Sequence, residues 1–322
     1  MSLDRIDVKT GYLCNNSCLF CVQAHNKGKG REKSTEQIIG ILEESREKYE
    51  AVVLTGGEVS IRNDIFDIVA VARDLGYKKI HIQSNGRRFY YKDFCRKMIE
   101  AGANEFGLAL HGHIPELHDY LTRAPGSFLA TLRGIRNLVE LGQSVMTNTV
   151  ITKSNYCHLP DIARVLVSAG VFQYQFAFVH IVGNARTFAL SVVPRKTLVA
   201  PYAKRGLDVG RAKGVKVMTE AIPYCFMKGY EQYIAETIIP ETKIFDAENV
   251  IESFTENRRN QGKLKGPPCK ECDMCKICEG PWREYPEMFG WDEFEPLRWH
   301  SMPGIPEVAF EKKKLVLPGG GD

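Results

Sequence analysis

Cys14-Asn15-Asn16-Ser17-Cys18-Leu19-Phe20-Cys21 is the stretch on which the reading of this chain turns. Its cysteines follow a C-x3-C-x2-C spacing. A cubane 4Fe-4S cluster normally takes four protein ligands, so three thiolates leave one iron open to a small molecule. Zinc is the competing reading, but structural zinc prefers four closed N/S ligands, commonly built from C-x2-C pairs. Only His25 lies near enough in sequence to serve as a fourth. A disulfide is the weakest reading of the three.

Residues 51 to 58 read Ala-Val-Val-Leu-Thr-Gly-Gly-Glu, an apolar buried-strand run that ends in Gly56, Gly57 and Glu58. Glycines there let backbone approach a ligand closely, and Glu58 can accept from an ammonium. Gly-Gly also ends strands as an ordinary turn. The cysteine motif and the Gly-Gly-Glu motif together resemble the radical S-adenosylmethionine (SAM) superfamily. The resemblance implies that the open iron is chelated by the methionyl amine and carboxylate of SAM, and that Gly56, Gly57 and Glu58 hold the amine. It also implies that the cluster reduces the sulfonium and releases a 5'-deoxyadenosyl radical.

Strand-like and helix-like segments alternate along the chain, as in a parallel α/β fold. Strands are expected near 6–12, 51–55, 79–84, 105–110, 145–151 and 173–179. Helices are expected near 35–48, 64–75, 91–101, 127–141, 158–169 and 195–213. Six such units fit the α/β partial (β/α)6 TIM-type barrel that the resemblance implies, with a small C-terminal cluster-binding extension. Chemistry in such barrels sits at the C-terminal strand ends, where each motif falls.

The resemblance carries further residues. Ser84, Asn85 and Gly86, closing the third strand, resemble polar contacts to the ribose and carboxylate of SAM, or form a plain turn. The fourth strand of many relatives carries a serine that touches SAM, where this chain has Ala109. Asn148, alternating with Thr147 and Thr149 on the fifth strand, faces the lumen and binds SAM, or satisfies neighbouring backbone. Val182 and Gly183 lie where relatives hold adenine with backbone groups. Phe20 packs on the adenine face or in the ordinary core. His111 and His113 stand past the fourth strand, where a substrate would lie, or are surface residues.

A second group of cysteines lies near the other end. Cys269, Cys272, Cys275 and Cys278 form C-x2-C-x2-C-x2-C between Gly266-Pro267-Pro268 and Gly280-Pro281. In ferredoxin-like runs the fourth cysteine usually serves another cluster, so a remote ligand is expected, and Cys225 is the candidate. Cys269, Cys272 and Cys278 alone fall in C-x2-C-x5-C order, which resembles part of the SPASM or twitch auxiliary-cluster extensions of radical SAM enzymes. The expected set is Cys225, Cys269, Cys272 and Cys278 around one auxiliary 4Fe-4S cluster, with Cys275 spare or alternative. A zinc knuckle is the other reading, although structural zinc usually separates its two C-x2-C pairs more widely. Cys95 and Cys157 read as structural thiols.

The chain has 322 residues and ten cysteines, enough for one barrel core and a small extension. The expected division is a barrel over 1–221, a cluster-binding extension over 222–300 and a disordered tail over 301–322. The net charge of +4 is too mild to argue for nucleic acid. The run of Lys27, Lys29, Arg31 and Lys33 and the pair Arg258-Arg259 are local exceptions that read as solvated loops. The first of them lies close enough to the cysteine loop to cover SAM or attract an anionic substrate. No 18-residue apolar span or signal peptide is visible, so a cytoplasmic protein is expected.

The expected function is reductive cleavage of SAM and hydrogen abstraction from a peptide or small-molecule substrate, with an electron donor such as flavodoxin or ferredoxin and no membrane partner. The rival is an iron-sulfur electron-transfer protein without SAM chemistry, which gives no reason for Gly56-Gly57-Glu58.

Overall fold

The computed structural model describes residues 5–29, 32–247 and 249–298. Its sheet contains β1 (Arg5–Lys9), β2 (Ala51–Thr55), β3 (Lys79–Ser84), β4 (Glu105–Ala109), β5 (Val145–Ile151), β6 (Gln173–Phe178), β7 (Lys216–Glu220), β8 (Thr242–Phe245) and β9 (Val250–Ile251). The strands lie in the order β7-β6-β5-β4-β3-β2-β1-β8-β9. All pairs are parallel except β8 with β9. The sheet is a nine-stranded partial barrel that does not close.

Side-chain alternation separates two environments. Ile6, Val8, Ile80, Ile82, Phe106, Leu108, Tyr174 and Phe176 are buried in the core. The alternate positions of these strands carry Asp7, His81, Glu105 and Gln175, and with Asn148 on β5 and Glu220 on β7 they make a polar lumen tied together by bonds such as Gln175 Nε2 to Glu220 Oε2 at 2.6 Å. Arg5 on β1 is within electrostatic reach of Glu105 on β4 and Glu220 on β7. Strands that far apart in the sheet order can meet only if the sheet is rolled.

The outer helices follow local signals. Ser34 caps the helix Thr35–Ser45 in a reciprocal box with Gln37, and Ile38 and Leu42 are buried. Pro115 opens the helix Pro115–Thr122, whose C-cap Arg123 is left-handed with φ 51°. The helices Ser127–Glu140, Leu159–Ser168 and Lys196–Arg211 follow β4, β5 and β6.

Three strands have no counterpart in the sequence reading. β7, β8 and β9 are short, and Lys-Val-Met-Thr-Glu and Thr-Lys-Ile-Phe place charged or polar residues where a buried apolar run would be sought. β8 extends the sheet by pairing with β1, Arg5 opposite Thr242. β1 ends at Lys9, earlier than expected, because residues 10 to 13 leave to bond the end of β2. Arg258 is not solvated: it is 1% exposed and forks onto Glu279 at 2.6 and 2.8 Å. Residues 301–322, read as a disordered tail, lie outside the described residues. No helix among the described residues is long and apolar enough to cross a membrane.

Candidate functional site

The loop after β1 meets the end of β2 at backbone distance. Gly57 N donates to Gly11 O and Glu58 N to Leu13 O, both at 2.8 Å. A Cβ at Gly56 would stand 2.3 Å from Gly11 O, and one at Gly57 2.3 Å from Leu13 O, so side chains there would push the strands' loops apart. This close approach is the reason for two glycines.

The cysteine loop is then fastened from several sides. Ser17 N and Leu19 N donate to Thr122 O and Leu121 O at 2.9 Å, tying it to the helix Pro115–Thr122. Asn184, past β6, donates its backbone N–H to Cys21 O at 3.0 Å and its side chain to Cys18 O at 2.8 Å. A Cβ on the preceding Gly183 would lie 2.5 Å from Cys21 O. Arg87 bonds Asn16 Oδ1 at 3.0 Å and Asn15 O, and Lys27 Nζ reaches Asn16 O at 2.9 Å. Lys27 is thus engaged with the loop despite its exposure, while His25 is exposed.

Burial pushes the Cys18 thiol up to about 12, and the neighbouring Cys21 and Cys14 add to the shift. Burial raises Cys14 and Cys21 as well. Three grouped thiols disfavour one another's thiolate forms, so a cationic centre is needed to hold all three deprotonated. This donor set fits iron. Cys14 Sγ also accepts from Asn16 N at 3.4 Å.

Glu58 lies beside the thiols, close enough for its charge to raise Cys14. Its carboxylate is 3% exposed. Oε1 accepts from Ser60 N (3.0 Å), Ser60 Oγ (2.6 Å) and Ser84 Oγ (2.7 Å), and Oε2 from Asn85 N (2.6 Å). All of these donors are neutral, and no Lys or Arg pairs with Glu58 among the described residues. A buried carboxylate so held is oriented but not neutralised, which suits it to an incoming ammonium. Ser84 is engaged with Glu58, while the Asn85 side chain donates to Asn15 Oδ1 at 2.6 Å.

Around this core the structure places the remaining expected residues. Asn148 stands opposite Ala109 on β4 and Gln175 on β6, and its buried Oδ1 has no hydrogen-bond partner among the described residues. Val182 is half-buried in the turn past β6, its N–H bonded to His180 O at 2.9 Å. Phe20 meets His111 edge-on, with ring centroids 4.6 Å apart. His111 is no surface residue: it is buried, its Nδ1 accepts from Val150 N at 3.2 Å, and its own N–H donates to His118 Nδ1 at 3.0 Å. Burial and His118 hold His111 well below the usual imidazole range, and burial lowers His118 to about 4. His113 lies farther out, beside His158.

The second cysteine group also comes together. Cys225, in the turn Tyr224–Phe226 beyond β7, lines one pocket with Cys269, Cys272, Cys275 and Cys278, walled by Pro223, Tyr224, Pro281 and Phe294. Burial raises the Cys225 thiol, and Cys278, Cys272 and Cys269 add to it in that order. Burial raises Cys278 to about 11. Cys275 adds instead to the shift of Cys269. Leu297 N and Gly280 N each donate to a sulfur, Cys272 and Cys278, at 3.4 Å. A pocket lined by several thiols and apolar side chains, with N–H to sulfur bonds, fits a metal-sulfur centre.

Between the two groups lie residues that sequence reading did not single out. Lys196 is fully buried, its Nζ 3.1 Å from the Phe178 ring centroid and 2.7 Å from Ala221 O. Burial holds it well below the usual lysine range. His180 stacks on Trp282 at 3.9 Å, and Trp282 Nε1 donates to Phe178 O at 3.3 Å. Lys196 and Asn184 carry no motif; only their tertiary surroundings mark them.

Residues 8–166, about half of the chain, match the family model of the Radical SAM superfamily. The AdoMet-dependent heme synthase of Oleidesulfovibrio alaskensis is 25% identical over 182 residues, 56% of this chain and 46% of that protein. A probable GTP 3',8-cyclase of Sulfurisphaera tokodaii is 26% identical over 187 residues, 56% of this chain and 58% of that one. The chain therefore spans about half the length of these curated relatives. Among solved structures, Streptococcus suis SuiB bound to S-adenosylmethionine superposes with a TM-score of 0.66 at 15% identity, covering 87% of this chain and 73% of SuiB. The anSMEcpe protein with bound AdoMet and Cp18Cys peptide gives 0.54 at 15% identity, over 67% and 63%. At these identities the structural likeness establishes the fold.

Proposed function

Because the chain belongs to the radical SAM superfamily, we propose that Cys14, Cys18 and Cys21 hold a 4Fe-4S cluster whose open iron takes SAM, in an enzyme that abstracts hydrogen from its substrate. When bound, the reduced cluster held by Cys14, Cys18 and Cys21 would supply one electron for cleavage of SAM into methionine and a 5'-deoxyadenosyl radical. The protein's own part is positioning and exclusion of water. Glu58 receives the methionyl ammonium, with Ser84, Ser60 and Asn85 fixing its two oxygens. Gly56 and Gly57 keep that carboxylate against the cysteine loop. Asn148 offers its orphan acceptor to SAM from the lumen, and the turn at Val182 and Phe20 flank the adenine. The observation that carries the reading is Glu58: a buried carboxylate beside Cys14, ringed by neutral donors, with no cation of its own.

The second part of the reading is one auxiliary 4Fe-4S cluster on Cys225, Cys269, Cys272 and Cys278, with Cys275 as the spare thiol. The mutual influence of these four around Cys225 supports that set. In this reading the radical chemistry belongs to the stretch 1–221 and the auxiliary cluster to the stretch 222–300, although β8 and β9 of the second stretch join the barrel sheet at β1, and a small redox protein of the flavodoxin or ferredoxin kind delivers electrons. The substrate is a peptide, a reading supported by the peptide-bound states of two structural neighbours, SuiB with its precursor peptide SuiA and anSMEcpe with Cp18Cys.

The test is anaerobic reconstitution with iron and sulfide, reduction by dithionite and chromatographic detection of 5'-deoxyadenosine from SAM. Product is expected from the wild type and not from Cys18→Ala. Intact clusters with neither SAM binding nor cleavage would instead make the chain an electron carrier.

A further inference from the structure

His113, His158 and Asp161 meet on the barrel rim, and the proposed radical chemistry uses none of them. His113 follows β4, just before the helix Pro115–Thr122. His158 caps the helix Leu159–Ser168 that follows β5, and Asp161 lies in its first turn. The two imidazole centroids are 4.7 Å apart at a 30° tilt, and His158 Nδ1 is 3.5 Å from Asp161 Oδ2. One ligand atom from each of the three residues lies within 4.8 Å of the others. Ligand atoms about 2.0–2.2 Å from a tetrahedral zinc ion are roughly 3.3–3.5 Å from one another. The His158–Asp161 pair already has that spacing, and the His113 ligand atom lies within 4.8 Å of both.

A second observation points to a ligand. His113 Nδ1 is buried and has no hydrogen-bond partner among the described residues. Arg164 occupies Asp161 Oδ1, which leaves Oδ2 turned to His158. The helix N-terminus opposes a cation there, and the Asp161 carboxylate offsets that field. The backbone on either side is pinned: the Asn155 side chain donates to His111 O and to Val150 O, both at 2.9 Å, joining the loops after β4 and β5.

We propose that His113, His158 and Asp161 bind a divalent transition-metal cation of the zinc class, bridging the loops after β4 and β5. Two imidazoles and one carboxylate suit such ions, whereas the thiolate groups elsewhere in the chain suit iron-sulfur chemistry. Three protein ligands leave a coordination position for water or a substrate group. The ion clamps the loop that carries His111, and through it the edge of Phe20. The inference is independent of the proposed function.

The test uses the cluster-loaded protein, dialysed to equilibrium against buffered free zinc, with zinc, iron and sulfide measured in the same sample. The wild type should hold one zinc equivalent more than His113→Ala or His158→Asn, with iron and sulfide unchanged. Asp161→Asn, at a half-buried position, should weaken zinc binding by about tenfold or more, in line with the loss of a supporting ligand. Equal zinc in the wild type and all three variants overturns the proposal. So does a zinc excess in the wild type that tracks iron loss in the histidine variants while Asp161→Asn binds zinc as the wild type does.

Discussion

The two cysteine groups are built in opposite ways. The loop at Cys14–Cys21 is held by the barrel: its backbone is hydrogen-bonded to Leu121 and Thr122 of the helix Pro115–Thr122, to Asn184 past β6 and to Arg87 past β3, three separate connections. The run Cys269–Cys278 is held mostly by itself. Cys269 N bonds Gly266 O, Cys272 N bonds Cys269 O, Cys275 N bonds Cys272 O and Cys278 N bonds Met274 O, a succession of tight turns. Among the described residues its outward ties include Asp273 N to Leu297 O at 3.0 Å, Leu297 N to Cys272 Sγ at 3.4 Å and Lys265 Nζ to Cys275 O at 2.5 Å. The first site is a place the fold makes for a cluster; the second is a place that a cluster would make for the chain. Site geometry at the first should survive metal loss, while order at the second should depend on metal.

The largest effect that separates them comes from one cysteine in each. Cys18→Ala should abolish 5'-deoxyadenosine formation and remove about four iron atoms per chain, while the thermal midpoint moves little. Cys225→Ala should lose a similar amount of iron and also lower the midpoint and expose residues 265–280 to protease. Equal midpoints for the two variants would dissolve the contrast.

Acid should loosen the first region. His118 sits in the helix that supports the cysteine loop, and its folded-state pKa, lowered to about 4, lies below that of an unfolded imidazole. The unfolded chain binds the extra proton first. The resulting stability is therefore fully present above about pH 6.5 and is lost as pH falls towards 4, about 3 kcal/mol at most. His118→Asn, which keeps an acceptor for His111 N, should flatten the fall of thermal midpoint over that range. An unchanged slope would mean that His118 is not the group that titrates.

Smaller still is Gly57→Ala, whose new Cβ meets Leu13 O and Tyr12 O. A stability cost of about 1–3 kcal/mol is expected, with loss of SAM affinity by equilibrium binding. Ser84→Ala removes one of four donors to Glu58 and should cost about 1 kcal/mol, with a modest fall in SAM affinity. A wild-type affinity in Gly57→Ala would show that the close approach of the two loops is dispensable.

The legible parts of this molecule are those with local chemistry. Ala51–Thr55 was legible as an apolar run buried on both faces, and strands such as Lys79–Ser84 and Gln173–Phe178 by the alternation of apolar with polar residues. Cys225 was singled out in the sequence because the fourth cysteine of a ferredoxin-like run usually serves another cluster, and the structure places it in one pocket with Cys269, Cys272, Cys275 and Cys278. β8 was hidden because it borrows its place from β1 rather than from any pattern of its own. Arg258 looked solvated because its partner, Glu279, is distant in sequence. His111 looked exposed because a loop histidine gives no sign of the buried bonds to Val150 and His118.

The most direct test of the contrast is electron paramagnetic resonance of dithionite-reduced protein with and without SAM, in two variants that each keep one cysteine group. In Cys225→Ala, which retains Cys14, Cys18 and Cys21, SAM should shift the cluster signal, since an iron there is open. In the Cys14→Ala, Cys18→Ala, Cys21→Ala triple variant, the remaining signal should be the same with and without SAM. A SAM-dependent shift in the triple variant, or none in Cys225→Ala, would contradict the assignment of an open SAM-binding iron to the N-terminal loop.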